Sequence, residues 1–162
     1  MALTVNQQSF VKKIWPFAVT ASERTGIDPS IIVGQAALET GWGKSAPNNN
    51  YFGIKGPGGV QTTKEFINGE WVTIQDSFKG YASLEDSVKG YADFILKNPR
   101  YKDFMNAGNI ADQISALQKS GYATDPNYGS KVASIANSVG SIMGGSVGRD
   151  PVKGNSNRNG RG

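Results

Sequence analysis

Glu39 and Glu65 are the side chains whose type and placement point most directly to chemistry. Glu39 follows Ile32, Gln35 and Ala36 at helical spacing, on the stripe that faces a core rather than water. It falls in the last turn of that helix, where the dipole disfavours a negative charge. Burial and dipole together push a carboxyl pKa upward, as a general acid working near neutral pH requires. Trp42, one turn further on, offers an apolar wall. The same spacing also fits a glutamate reaching out to solvent at a helix end. Glu65 shares a strand face with Thr63 and Ile67, and glutamate is depleted in strands. It reads either as a second catalytic carboxylate or as part of a solvated hairpin face. Glu70 reads as solvated, and Asp28, Asp86 and Asp125 have capping roles that explain them.

Composition narrows the chemistry further. The chain has 162 residues with no His and no Cys. That removes Ser-His-Asp and Cys-His nucleophiles, His- or Cys-ligated zinc and disulfides. Acid–base work falls to carboxylates, Lys and Tyr. No metal-binding constellation is visible and no cofactor is expected. The net charge is +4, but Ser146–Gly162 holds Arg149, Lys153, Arg158 and Arg161 against the single acid Asp150. A nucleic-acid-binding domain puts its charge on a folded face. Here it lies in a Gly/Asn/Ser-rich stretch, so we expect a folded domain over 1–145, a disordered basic tail over 146–162 and no nucleic-acid partner. No apolar run is long enough to span a membrane, and the first residues lack the basic start and apolar block expected of a secretory signal.

The elements that must position the two acids follow from periodicity. Phe10, Ile14, Phe17, Ala18 and Ala21 mark a first helix ending at Thr25-Gly26, which Pro16 should kink or split. Asp28-Pro29 starts a second helix, the one carrying Glu39, and Gly41 and Gly43 end it. A loop covers Ser45 to Gly59. From Val60 to Ile74 the period changes to two around Asn68-Gly69, which predicts a hairpin pairing Phe66 with Trp71 and Glu65 with Val72. Ser83 caps a helix bearing Leu84, Val88, Tyr91 and Ile95 that stops before Pro99. A shorter helix carries Ile110, Ile114 and Leu117 and ends at Gly121. A last one starts at Asp125-Pro126 and shows Tyr128, Val132, Ile135, Val139 and Ile142. The fold class is mostly α with one small β-hairpin.

Aromatic residues gather near these acids: Trp42, Tyr51, Phe52, Phe66, Trp71, Tyr122 and Tyr128. They fit a sugar-binding cleft and equally plain core packing. The Asn48-Asn49-Asn50 run offers amides for sugar hydroxyls, or simply a turn. Gln35-Ala36-Ala37-Leu38-Glu39-Thr40-Gly41-Trp42-Gly43 resembles the signature of glycoside hydrolase family 73, the bacterial and phage N-acetylglucosaminidases that include the C-terminal domain of the flagellar rod protein FlgJ. Asn50-Tyr51-Phe52-Gly53-Ile54-Lys55 and Gly121-Tyr122-Ala123-Thr124-Asp125-Pro126-Asn127-Tyr128 resemble its next two blocks, in order, so the resemblance runs from about Phe10 to Met143. The stretches Trp42–Tyr51 and Lys55–Thr62 are shorter than in the flagellar members.

The resemblance implies a lysozyme-like α-lobe with a β-hairpin beside a substrate cleft. It implies hydrolysis of the β-1,4 bond between N-acetylglucosamine and N-acetylmuramic acid in peptidoglycan glycan strands. It assigns Glu39 as catalytic acid, Glu65 as the second carboxylate and Tyr122 as a group lining the site. Trp42, Asn50, Tyr51, Phe52, Thr124 and Tyr128 are the expected substrate-binding residues. A phage lysin acting as a monomer on the cell wall, from the periplasm or outside, is the expected setting, without membrane insertion. A muramidase or lytic transglycosylase on the same fold, and a non-catalytic glycan-binding or structural module, stand as alternatives.

Overall fold

The structure is a computed structural model and describes residues 2–144; the expected tail over 146–162 and its boundary lie outside the described residues. The elements run α1 (Val5–Thr25), α2 (Pro29–Thr40), β1 (Gly58–Ile67), β2 (Glu70–Lys79), α3 (Leu84–Lys97), α4 (Lys102–Asn106), α5 (Ile110–Ser120) and α6 (Tyr128–Ile142). The mostly-α class with one hairpin is therefore observed.

Helix α1 begins with a capping box, in which Thr4 Oγ1 accepts from Gln7 N and Gln7 Oε1 accepts from Thr4 N. It ends at Gly26, whose φ of 81° suits glycine. The expected split at Pro16 does not occur, because the helix runs on as one element. Pro16 and Lys12, whose carbonyl loses its partner, are both solvent-exposed, while Val11, Ile14 and Ala18 stay buried. Water meets the orphaned carbonyl and core packing holds the axis.

Helix α2 is not amphipathic: every residue from Pro29 to Ala37 is buried. It is the central helix, packed between α1 and α6. Gly34 permits the approach to α6, since a β-carbon there would come within 3.1 Å of Val132 O. Asp28 caps its start through Ser30 N, and Gly41 closes it in the left-handed region. Glu39 lies where this helix emerges from the core.

The hairpin has the expected register, Phe66 opposite Trp71 and Glu65 opposite Val72. Asn68 and Gly69 both take positive φ, as a tight two-residue turn of this hand requires. The strands are longer than expected, reaching back to Gly58 and on to Lys79. Helix α4 has no counterpart in the expected elements. Helix α6 starts at Tyr128, two residues past the expected first helical residue, Pro126. Asp125 instead folds a turn, accepting from Asn127 N and pairing with Lys131 at 2.6 Å.

One buried polar knot ties α2 to α3 and α6. Gln35, 1% exposed, accepts a hydrogen bond from the Tyr91 hydroxyl at 2.5 Å and donates to the Tyr128 hydroxyl at 2.9 Å. Replacing it leaves two buried phenols short of a partner, each loss costing about 1–3 kcal/mol. We therefore expect Gln35→Leu to lose about 2–4 kcal/mol of stability in urea unfolding. Unchanged stability would contradict the knot.

Candidate active site

The end of α2 presents Glu39 to a cleft of about 550 Å³ between the α-lobe and the hairpin, within the usual size of small-molecule sites. Solvent reaches Glu39 through the open side of that cleft. Protein crowds the carboxyl elsewhere. A β-carbon on Gly53 would come within 2.8 Å of Glu39 Cδ and 2.9 Å of both carboxyl oxygens. A side chain there would force the carboxyl to shift, and the φ of +68° is one that residues other than glycine adopt only at a cost. Burial among these atoms, with the charge of Glu65 added, raises the Glu39 pKa from 4.5 to about 7. The direction agrees with the sequence reading, with burial as the leading cause and the second carboxylate beside it.

Glu65 projects from β1 into the same cleft and is held from two sides. Thr124, from the α5–α6 connection, donates to Glu65 Oε1 at 2.8 Å and accepts from Phe66 N at 2.9 Å. Lys55, from the α2–β1 loop, places its ammonium 3.4 Å from Glu65 Oε2 and 3.0 Å from Asp76 Oδ2 on β2. The Asp76 carboxyl is held below its ordinary value, first by this contact with Lys55. Glu65 is thus a fixed, ion-paired carboxylate rather than a solvated hairpin residue.

Tyr122 forms the wall beside Glu39. Its hydroxyl donates to Phe52 O at 2.7 Å, and its ring stacks on Tyr128 with centroids 5.7 Å apart. Burial, then Tyr128, Tyr91 and Glu39, push its phenol well above the ordinary range, so it stays a neutral donor. That bond fixes the residue next to Gly53, and so the contact on Glu39.

The structure brings Glu39, Glu65, Tyr122, Phe52, Thr124 and Tyr128 to one cleft. Phe52 and Tyr128 back it from the core, at 1% and 6% exposure, so their rings are not free sugar platforms. Three expected binding residues are not brought there. Trp42, in the left-handed region at φ 62°, packs edge-on against Phe10. Tyr51 stacks on the same Phe10 ring, with centroids 6.3 Å apart, and its N–H donates to Ser87 Oγ. Asn50 is a loop staple: its amide donates to Ile54 O and Lys79 O and accepts from Phe52 N and Ile54 N. The Asn48–Asn50 run is therefore a turn. Conversely, Gly53, Lys55 and Arg100 border the cleft and were not expected, and Trp71, one of the aromatic residues that fit a sugar-binding cleft, borders it too. For Gly53 and Lys55 the signal was the Asn50–Lys55 block itself, in which a glycine and a lysine flank an apolar residue. Among the described residues, no group of three or more acids stands in metal-binding proximity.

Gly53→Ala should leave the fold largely intact but push the Glu39 carboxyl aside. We expect at least about a 100-fold fall in turnover, the scale on which ångström misplacements act, with thermal unfolding run in parallel. Wild-type turnover in this variant would contradict the contact.

The comparisons with known proteins agree with this geometry. The family profile described as mannosyl-glycoprotein endo-beta-N-acetylglucosaminidase, named Glucosaminidase, matches residues 15–141. The chain is 36% identical to the peptidoglycan hydrolase FlgJ of Pseudomonas aeruginosa, over 83% of this chain and 37% of that protein. It is likewise 36% identical to the exo-glucosaminidase LytG of Bacillus subtilis, over 80% of this chain and 50% of that one. The chain thus spans half or less of the length of these relatives. A crystal structure of a peptidoglycan hydrolase mutant from Sphingomonas sp. A1 superposes with a TM-score of 0.77 at 35% identity, covering 85% of this chain and 99% of that one. With a matching profile across most of its length, a lysozyme-like fold and two carboxylates in one cleft, the chain belongs to the glucosaminidase family of glycoside hydrolases, family 73.

Proposed function

We propose that the chain is a peptidoglycan hydrolase that cuts the β-1,4 bond between N-acetylglucosamine and N-acetylmuramic acid. The observation that carries this reading is the Glu39 carboxyl, crowded by the Gly53 backbone so that its pKa rises to about 7, in the same cleft as the ion-paired Glu65. The relatives named for peptidoglycan hydrolysis and for glucosaminidase activity support the substrate and the bond.

In this reading Glu39 gives its proton to the glycosidic oxygen as the anomeric carbon gains oxocarbenium character. An acid with a pKa near the working pH is both populated and willing to transfer its proton. Glu65, ionised, acts as base toward water or stabilises the positive charge. Lys55 and Thr124 hold its two oxygens, so it meets the substrate without reorganising. Tyr122 keeps Phe52–Gly53 in place against Glu39 and faces the cleft where the substrate's N-acetyl group can take part. Exposed Trp71 on the hairpin gives a flat surface for a sugar ring. We place the action at the bacterial cell wall, by a monomeric phage lysin, a setting that the genes flanking its own would check. Among the described residues no helix is long and apolar enough to cross a membrane.

Digestion of purified peptidoglycan with mass spectrometry of the reducing ends tests activity and bond together. N-acetylglucosamine ends support the proposal; N-acetylmuramic acid or anhydro ends assign a muramidase or transglycosylase. Binding without release of sugar ends supports a non-catalytic module. Glu39→Gln should lower the rate by about 10²–10⁴-fold, the usual contribution of a general acid, and Glu65→Gln by an intermediate factor. A folded Glu39→Gln with wild-type activity would remove the assignment.

A further inference from the structure

The loop before the hairpin touches both carboxylates through residues only two apart. Gly53 lies against the Glu39 carboxyl, and the Lys55 ammonium lies 3.4 Å from Glu65. That stretch is stitched to the base of β2. Lys79 N donates to Ile54 O at 2.9 Å, Gly56 N donates to Ser77 O at 3.0 Å, and the Ser77 hydroxyl donates to Gly56 O at 2.7 Å. The Lys55 backbone itself is bridged to Phe78. Asp76, directly across the ladder from Gln61, holds the ammonium from its far side at 3.0 Å.

We propose that Lys55 is a positioning residue for the hydrolytic reaction: its ammonium, braced by Asp76, sets where the Glu65 carboxylate sits relative to Glu39 and offsets part of its charge. This rests on the roles given to Glu39 and Glu65 above. Simple anchoring is a weak account of Lys55. Its side chain is 53% exposed, and ion pairs at such sites add little to stability and are screened by salt. A cation this close to one of two like-charged carboxylates instead acts on their mutual repulsion. Thr124, the other group holding Glu65, is neutral. Of the remaining charges bordering the cleft, Lys131 is taken by Asp125, while Lys64 and Arg100 have no ion pair among those seen between described residues. Lys55 is therefore the cation placed to balance Glu65.

The test compares Lys55→Met and Lys55→Arg with wild type by kcat/KM against pH on solubilised peptidoglycan at low salt, with thermal unfolding alongside. Removing the cation leaves the Glu65 charge unopposed, which favours the protonated form of Glu39. Lys55→Met should therefore move the basic limb of the profile upward by about half a pH unit or more, a scale set by nearby charges. Added salt should shrink the shift, and Lys55→Arg should restore the wild-type limb. In a Glu65→Gln background, Lys55→Met should move nothing further. A loss uniform across pH with the limb unmoved, a downward shift, or an unchanged shift in the Glu65→Gln background would overturn the proposal. A wild-type rate in Glu65→Gln alone would instead overturn the role of Glu65.

Discussion

A glycine backbone pressed against a carboxyl group is the contact on which this domain's chemistry depends. The Glu39 carboxyl fills the space that a side chain on Gly53 would need: a β-carbon there would lie within 3 Å of all three carboxyl atoms. The approach excludes water from one side of Glu39 and so makes its charged form costly. It survives only if the loop carrying Gly53 is rigid, and the neighbouring residues supply that. Asn50 fills its amide with four backbone hydrogen bonds, and Tyr122 holds Phe52 O. Beneath them, the Gln35 knot fixes α2 against α3 and α6, so the helix delivering Glu39 does not shift. Crowding one carboxyl is therefore the shared outcome of α2, the loop and the α6 end of the lobe.

The second carboxylate is handled in the opposite way. Glu65 is given a cation, a hydroxyl donor and a braced strand, which together hold its carboxyl in place. Two acids in one cleft with contrasting surroundings is the arrangement by which a glycosidase separates acid from base. The contrast also couples them, because the charge on Glu65 is itself a cause of the raised Glu39 value. Thr124 adds a mechanical link. By bonding both Glu65 and Phe66 N, it ties the hairpin to the loop before α6 and defines the cleft's width.

Local signals in the sequence were legible wherever one short segment decides the outcome. Asn68-Gly69 gave the turn and hence the register that places Glu65, and Asp28-Pro29 with Gly41 bounded the helix of Glu39. Pro16 misled because the cost of a helix proline depends on whether its orphaned carbonyl meets water, which only packing determines. Asp125-Pro126 misled because Asp125 spends its side chain on a turn and on Lys131. Trp42, Asn50 and Tyr51 stand close to Glu39 in sequence, yet Phe10 and the loop backbone claim them. Contacts such as Lys55 with Glu65 and Asp76, or Thr124 with Glu65, join distant segments and have no local periodicity to announce them.

Crowding by the Gly53 backbone and the charge of Glu65 keep Glu39 protonated to near neutrality, and a carbon-13 NMR titration of its side-chain carboxyl follows that proton. The sign is set by the cause: burial and a neighbouring negative charge both favour the neutral acid, so ionisation moves upward in pH. The expected midpoint lies near 7 in the wild-type protein and falls when Glu65 is replaced by Gln. A midpoint near the ordinary 4.5, unmoved by that replacement, would contradict it.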